Sequence, residues 1–291
     1  MRLTVRVPAT AANLGPGFDS FGLAIDLCNE VTVDTESAGV TWEQEGDGEL
    51  PTDGGDLVTG AIRTVARLAG REGEPLDLPP FALHGLNRIP LERGLGSSSA
   101  AAVAGAALAY RLLGLGDPDP HTLFSVAAEL EGHPDNAAPA VFGGFTIAMP
   151  DGFVRRLEPH PRLRPVVLIP DAVRLPTAEA RAALPQEVPM QAATSNAAHA
   201  ALAVVALTQD PSLLREALVD RIHQPHRLAL VPQVREVFDS LVGEDIPVCV
   251  SGSGPTLLAF DVPGRDVPDP PEGWRVLRPS TRSAGLEFVD D

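Results

Sequence analysis

The sequence predicts an α+β fold in two domains, and three observations lead there. In the second half, short β-prone apolar stretches alternate with helix-forming stretches, without the long parallel series that a doubly wound sheet requires. Phe81 to about Gly114 reads as a strand, a glycine turn and an alanine-lined helix. At Pro159 to Pro165 the composition turns to proline and arginine, which sets a boundary between residues 1–160 and 161–291.

Taken in order, Leu3, Val5 and Val7 alternate with polar partners as a half-buried strand does, and Pro8 is expected to stop it. A small-residue loop follows, carrying Asn13 and Asp19, polar residues that a mere connection does not need. Val31, Val33 and Val40 to Trp42 suggest further strands, and the glycines and acids of 45–55 a surface loop. Asp56 reads as the N-cap of a helix ended by Gly70. After the central strand, turn and helix, a second helix is expected over His121 to Glu131, broken by Pro134 and Asp135. Val141 to Ala148 and Phe153 to Leu157 read as a hairpin. In the second half the expected strands are Val166–Ile169, Val248–Val250 and Thr256–Phe260. The expected helices are one capped by Thr177 and running through Ala183, then Asn196–Leu207, Ser212–Leu218 and Gln233–Leu241.

The stretch with most chemical content is RIPLERGLGSSSAAAVAGAA, Arg88 to Ala107. Pro90 ends the apolar run, and Gly94 and Gly96 stand where a tight turn needs positive φ or bare backbone. The three serines then mark a helix start. A strand, a glycine turn and a helix N-terminus aim unpaired N–H groups at one point, with the positive end of the helix dipole behind them, and such a place suits a phosphate. The chain contains no lysine, so neither the Walker A lysine nor the strand lysine of protein kinases is available. Charge on a bound nucleotide must then be met by backbone N–H groups, a metal ion and arginine.

Composition narrows the partners. A formal charge of −17 argues against nucleic-acid backbones and anionic membranes, both of which need a basic patch. The N-terminus has no long apolar core of the signal-peptide kind. The longest apolar run, Ala100 to Tyr110, is about half of the ~20 residues a membrane span needs. A cytoplasmic location is expected. Cys28 and Cys249, far apart and each among apolar residues, are expected to be buried free thiols.

Four segments together are more specific than any one of them. PATAANLGPGFDSFG (Pro8–Gly22), PLERGLGSSSA (Pro90–Ala100), EGHPDNAAPAVFGG (Glu131–Gly144) and SGSGPT (Ser251–Thr256) stand in the order found in GHMP kinases, which the chain resembles over nearly its whole length. The third of these segments is similar to the members that act on homoserine. The resemblance implies an N-terminal ribosomal protein S5 domain 2-like domain and a C-terminal ferredoxin-like α/β sandwich. It implies ATP and Mg²⁺ as cofactors, a small amino acid, L-homoserine, as acceptor, and phosphorylation of its side-chain hydroxyl. A homodimer is common among such relatives.

Residue by residue, the resemblance places Pro90, Leu91, Glu92, Arg93, Gly94, Leu95, Gly96, Ser97, Ser98, Ser99 and Ala100 around the nucleotide, with Ser98 and Glu129 on the metal. Glu131, two residues on, is the alternative ligand to Glu129. Asn13, Asp19, His133, Arg181 and Arg227 match substrate positions, with the arginines suited to a carboxylate and Asp19 to an ammonium. Asn136 is expected beside the reacting hydroxyl, and Asp135 can serve as a base only if it points into the site. SGSGPT is expected to fold over the glycine loop. The plainer readings are a surface ion pair for each arginine, an Asx-turn for Asn13 and a satisfied core histidine for His133. The rival functions are a kinase of this family for another small alcohol, such as mevalonate or shikimate, and a non-catalytic metabolite sensor.

Overall fold

A computed structural model describes residues 1–44, 49–70 and 74–289. Two sheets organise it. The first has the order β11-β1-β2-β4-β3, with β5 on β2 and β6 on β5. Its strands are β1 (Arg2–Ala12), β2 (Phe21–Asp34), β3 (Gly39–Gln44), β4 (Ala82–Asn87), β5 (Phe145–Ala148), β6 (Val154–Leu157) and β11 (Glu287–Val289). The second is antiparallel, β10-β7-β9-β8, from β7 (Pro165–Pro170), β8 (Val248–Val250), β9 (Leu257–Phe260) and β10 (Trp274–Leu277).

On the first sheet lie α1 (Leu57–Ala69), α2 (Ser97–Leu112), α3 (Pro120–Glu131) and the short α4 (Ala137–Phe142). The second half adds α5 (Thr177–Ala182), α6 (Met190–Thr208), α7 (Leu214–Ala217), α8 (Gln224–Leu230) and α9 (Pro232–Gly243). Among the described residues, no helix is long and apolar enough to cross a membrane.

Period-two alternation explains how the second sheet is held. Val166 and Leu168 of β7 pack with Leu228 and Val231 of the α8 region and with Val234 and Val237 of α9. Their neighbours Val167 and Ile169 face the other way, into the core shared with Ala203, Ala206 and Leu207 of α6 and with the first sheet. Each face of one strand thus closes a different core. Both cysteines are buried and free, and burial pushes the Cys249 thiol up to about 12.

Several expectations are corrected. Pro8 does not stop β1: the β1–β2 ladder shifts register between Pro8 and Ala9, and β11, among the described residues, pairs with Thr4, Val5 and Arg6, short of the proline. A proline has no N–H to lose at such a bulge beyond the edge partner. Val141 and Phe142 close α4, not a strand. Pro176, not Thr177, precedes α5, and no side chain caps it. Helix α6 begins at Met190, six residues before Asn196, while α8, β10 and β11 are elements not expected at all. The glycine loop of 45–55 lies partly, with Gly46 and Gly48, outside the described residues. Asp56 does cap α1, accepting from the Thr59 N–H at 2.8 Å.

Candidate active site

Strand β4 delivers the chain to a turn in which Gly94 (φ 72°) and Gly96 (φ 68°) are both left-handed. Gly96 is the N-cap of α2 and supplies no side-chain cap, so Ser97, Ser98 and Ser99 are the first helical residues and not caps. Ala100 N–H makes the first bond back, to Gly96 O at 2.9 Å. The N–H groups ahead of it are the orphans of a helix start. Two other segments brace the turn: Thr10 N–H donates to Leu95 O at 3.1 Å, and Ser251 Oγ donates to Gly94 O at 2.7 Å. The SGSGPT segment therefore does lie over the glycine loop.

A cavity of about 590 Å³ opens at this turn and runs between the two halves of the chain. At one end it is lined by Leu91, Glu92, Arg93, Gly94, Leu95, Gly96, Ser97 and Ser98. Pro90, Ser99 and Ala100 are buried behind that wall. A smaller apolar hollow of about 120 Å³, bounded by Trp42, Leu50, Leu57, Leu91 and Ala101, adjoins it at Leu91 and Ser97. Arg93 turns its guanidinium away from the turn, onto the carbonyls of Pro170, Asp171 (2.7 Å) and Val173 (2.5 Å).

Carboxylate placement at this end separates the two candidate glutamates. Glu131 Oε2 accepts from both Ser98 Oγ and Ser99 Oγ at 2.7 Å. Glu129, two residues earlier on α3, is exposed and absent from the cavity wall. Two positions along a helix turn a side chain by about 200°, so only one of the pair can face Ser98.

At the other end the cavity gathers Asn13, Asp19, His133, Asp135, Asn136, Arg181 and Arg227 from four segments. Asn13 is left-handed (φ 69°), accepts from the Asp19 N–H at 3.0 Å and donates to Gly252 O at 2.8 Å. Arg181 forks Asp19 at 2.7 and 3.1 Å, and that hydrogen bond raises the arginine's pKa. Asn136 Oδ1 accepts from Thr10 Oγ1 at 2.7 Å. Asp135 is 3% exposed and meets His133 Nδ1 at 3.0 Å, which holds the imidazole above its usual pKa despite partial burial.

Arg227 is the group with the least compensation. It is 2% exposed, donates through Nη1 to Gly252 O at 2.7 Å, and its Nε has no hydrogen-bond partner. Burial, then the neighbouring Arg181, pull its pKa down. The same Nη1 lies 3.2 Å from His223 Nδ1, while His223 Nε2 lies 2.8 Å from Gly15 O. A carbonyl and a guanidinium on either side leave one assignment: Nε2–H donates to Gly15 and Nδ1 accepts from Arg227. Burial keeps that imidazole neutral, with its pKa pushed down to about 4. Phe18 stacks on His223 at 5.2 Å and lies under both arginines, 5.4 Å from Arg227 and 6.0 Å from Arg181.

Helix α8 carries this arrangement. Asp220 accepts from the N–H groups of Ile222, His223 and Gln224 at 3.1, 2.9 and 2.7 Å, which fixes the helix start. Sequence reasoning missed Thr10, Phe18 and His223. The signal for His223 was its place four residues before Arg227, on one helical face.

Comparisons with known proteins place the chain in a family. Residues 56–144 match the family model for the GHMP kinases N terminal domain, and residues 198–267 that for GHMP kinases C terminal. A homoserine kinase of Clavibacter michiganensis is 45% identical over 266 residues, 89% of this chain and 82% of that one. One from Thermus thermophilus is 45% identical over 265 residues, 90% of this chain and 88% of that one. The crystal structure of homoserine kinase from Cytophaga hutchinsonii superposes with a TM-score of 0.80 at 26% identity, covering 99% of this chain and 97% of the other.

Proposed function

The chain belongs to the GHMP kinase family, and from that premise we propose that it transfers the γ-phosphoryl group of ATP to the side-chain hydroxyl of L-homoserine, giving O-phospho-L-homoserine. The observation that carries the acceptor is Arg227, a guanidinium buried at the cavity wall with Nε unpartnered beside the Asp19–Arg181 pair. A buried, under-compensated cation calls for an anion. An amino acid brings a carboxylate and an ammonium together, and Asp19 with Arg181 offers the complementary charges. Both members of that ion pair are 35% exposed, so water and substrate can part them at small cost. Mevalonate and shikimate have a carboxylate but no ammonium, and would offer Asp19 no positive charge in exchange for Arg181.

The phosphates lie against the open N–H groups from Gly94 to Ser98, and we place the base in the hollow of Trp42, Leu57 and Leu91. Ser98 Oγ and the Glu131 carboxylate are hard oxygen donors already in contact, which fits Mg²⁺, an ion satisfied by one or two protein oxygens and several waters. Ser98 and Glu131 would hold the metal, which would screen the charge of the terminal phosphates. Asn136, fixed by Thr10, orients the acceptor hydroxyl. Asp135 is engaged by His133, and the loose transition state of phosphoryl transfer asks for positioning more than for a strong base. A cytoplasmic place is consistent with an acidic chain that uses soluble metabolites.

A coupled assay of ADP release tests this reading. Turnover is expected with L-homoserine and not with mevalonate or shikimate; equal rates on mevalonate would overturn the acceptor assignment. Absence of ADP release with all three would favour the non-catalytic sensor. Ser98→Ala is expected to raise the Mg²⁺ concentration needed for half-maximal turnover, and full activity at limiting Mg²⁺ would remove Ser98 from the metal.

A further inference from the structure

With no lysine in the chain, any fixed cation that meets a polyphosphate other than histidine is an arginine. Four arginines line the cavity: Arg93, Arg174, Arg181 and Arg227. Two of them, Arg181 and Arg227, belong to the acceptor end. Arg93 spends its guanidinium on the carbonyls of Pro170, Asp171 and Val173. That leaves Arg174, on the segment between β7 and α5. Its Nη1 lies 3.3 Å from Glu92 Oε2, two residues before Gly94.

We propose that Arg174 is a phosphate-binding residue of the nucleotide site, which leaves Glu92 and forks the phosphates beyond the first when ADP or ATP enters. The inference rests on the reading of Gly94 to Ser98 as the phosphate loop. Three features support it. The Glu92–Arg174 pair is open to water, with side chains 60% and 45% exposed, and such pairs hold weakly. A polyphosphate offers the guanidinium several charged oxygens in the forked geometry that suits it, where Glu92 offers one contact. The backbone on either side of Arg174 is also tied to the glycine turn: Arg93 grips the carbonyls of Asp171 and Val173, and Leu175 is buried. The side chain can swing while its base stays in register with the loop amides.

The test is calorimetric binding of ADP and AMP to the full chain in Mg²⁺ buffer, with ATP kinetics alongside. Arg174→Ala is expected to weaken ADP about tenfold, a common scale for one charge-assisted contact, and AMP less than about twofold. The KM for ATP should rise in parallel and that for homoserine should not. Arg174→Lys should recover part of the loss. Glu92→Gln separates this role from a structural ion pair, because removing the competing carboxylate should tighten ADP two- to threefold, about the strength of an exposed pair. If Glu92→Gln weakens ADP as Arg174→Ala does, the pair is structural and the proposal fails. It fails also if AMP is weakened as much as ADP, or if ADP affinity does not change. A wild-type chain that binds ADP but does not phosphorylate homoserine would overturn the acceptor reading and leave this test intact. A wild-type chain that binds neither nucleotide would overturn both.

Discussion

The two ends of the cavity are built by different means. The phosphate-loop end is walled mainly by one continuous segment, Leu91 to Ser98, shaped by two left-handed glycines and a helix start, with Glu131 and Arg174 beside it. At the acceptor end, the groups are polar and charged side chains brought from the loop after β1, the segment before α4, α5 and α8. The first end therefore depends on backbone geometry and the second on burial and pairing. Substitutions should damage the two ends in different currencies: shape at one, charge at the other.

The largest effect is expected at Arg227. Arg227→Ala should raise the KM for homoserine by about a hundredfold, or ~3 kcal/mol, the upper scale for hydrogen bonds to a charged group. The KM for ATP should stay within about twofold, and an equal loss for both ligands would erase the distinction between the ends. Next comes Gly96→Ala, where the new methyl would run into Thr10 Oγ1 and stand 3.0 Å from Asn136 Oδ1 at φ 68°. The left-handed backbone alone costs about 1–2 kcal/mol for a residue with Cβ. Melting temperature should fall and the KM for ATP rise, while wild-type values for both would show that the turn tolerates a side chain.

His223 gives a pH-dependent version of the same contrast. Its folded pKa, about 4, lies below the unfolded value of 6.5, so its contribution is fully present above pH 6.5 and lost as pH falls toward 4. His223→Gln keeps one donor and one acceptor but cannot titrate. Its stability deficit against wild type, from urea melts, should be largest at pH 7.5 and about 2 kcal/mol smaller at pH 5. A deficit constant across that range would show that burial of a neutral imidazole is not what couples Arg227 to Gly15. The smallest effect is expected for Glu129→Gln, within about 0.5 kcal/mol in stability, as for surface changes generally. Its Mg²⁺ dependence should match wild type, and a marked change would return Glu129 to the metal in place of Glu131.

The same contrast decides how much could be read from sequence. The turn at Gly94 and Gly96 and the cap at Asp56 were legible because they depend on residues a few positions apart. Helix α8 was not, although Asp220 and Pro225 mark its start, because its short length and its polar face of His223 and Arg227 hide the helical period. Asn13, Asp19, Arg181 and Arg227 are singled out through resemblance; nothing local in their neighbourhoods says that they line one cavity. Which of Glu129 and Glu131 faces Ser98 depends on helix phase, which needs the packing of α3 on α2. Arg93 shows the limit of motif reading, since its guanidinium ties the loop to the other half of the chain.

Strand β11 has a consequence for how the molecule is made. Its ladder, Thr4 with Val289 and Arg6 with Glu287, joins strands more than 270 positions apart in the sequence. On the ribosome, β1 and β2 can form their hairpin early, yet the outer edge of β1 at Thr4 to Arg6 stays bare until residue 289 has left the exit tunnel. An amino-terminal half expressed alone would carry that bare edge permanently, a surface on which copies could stack.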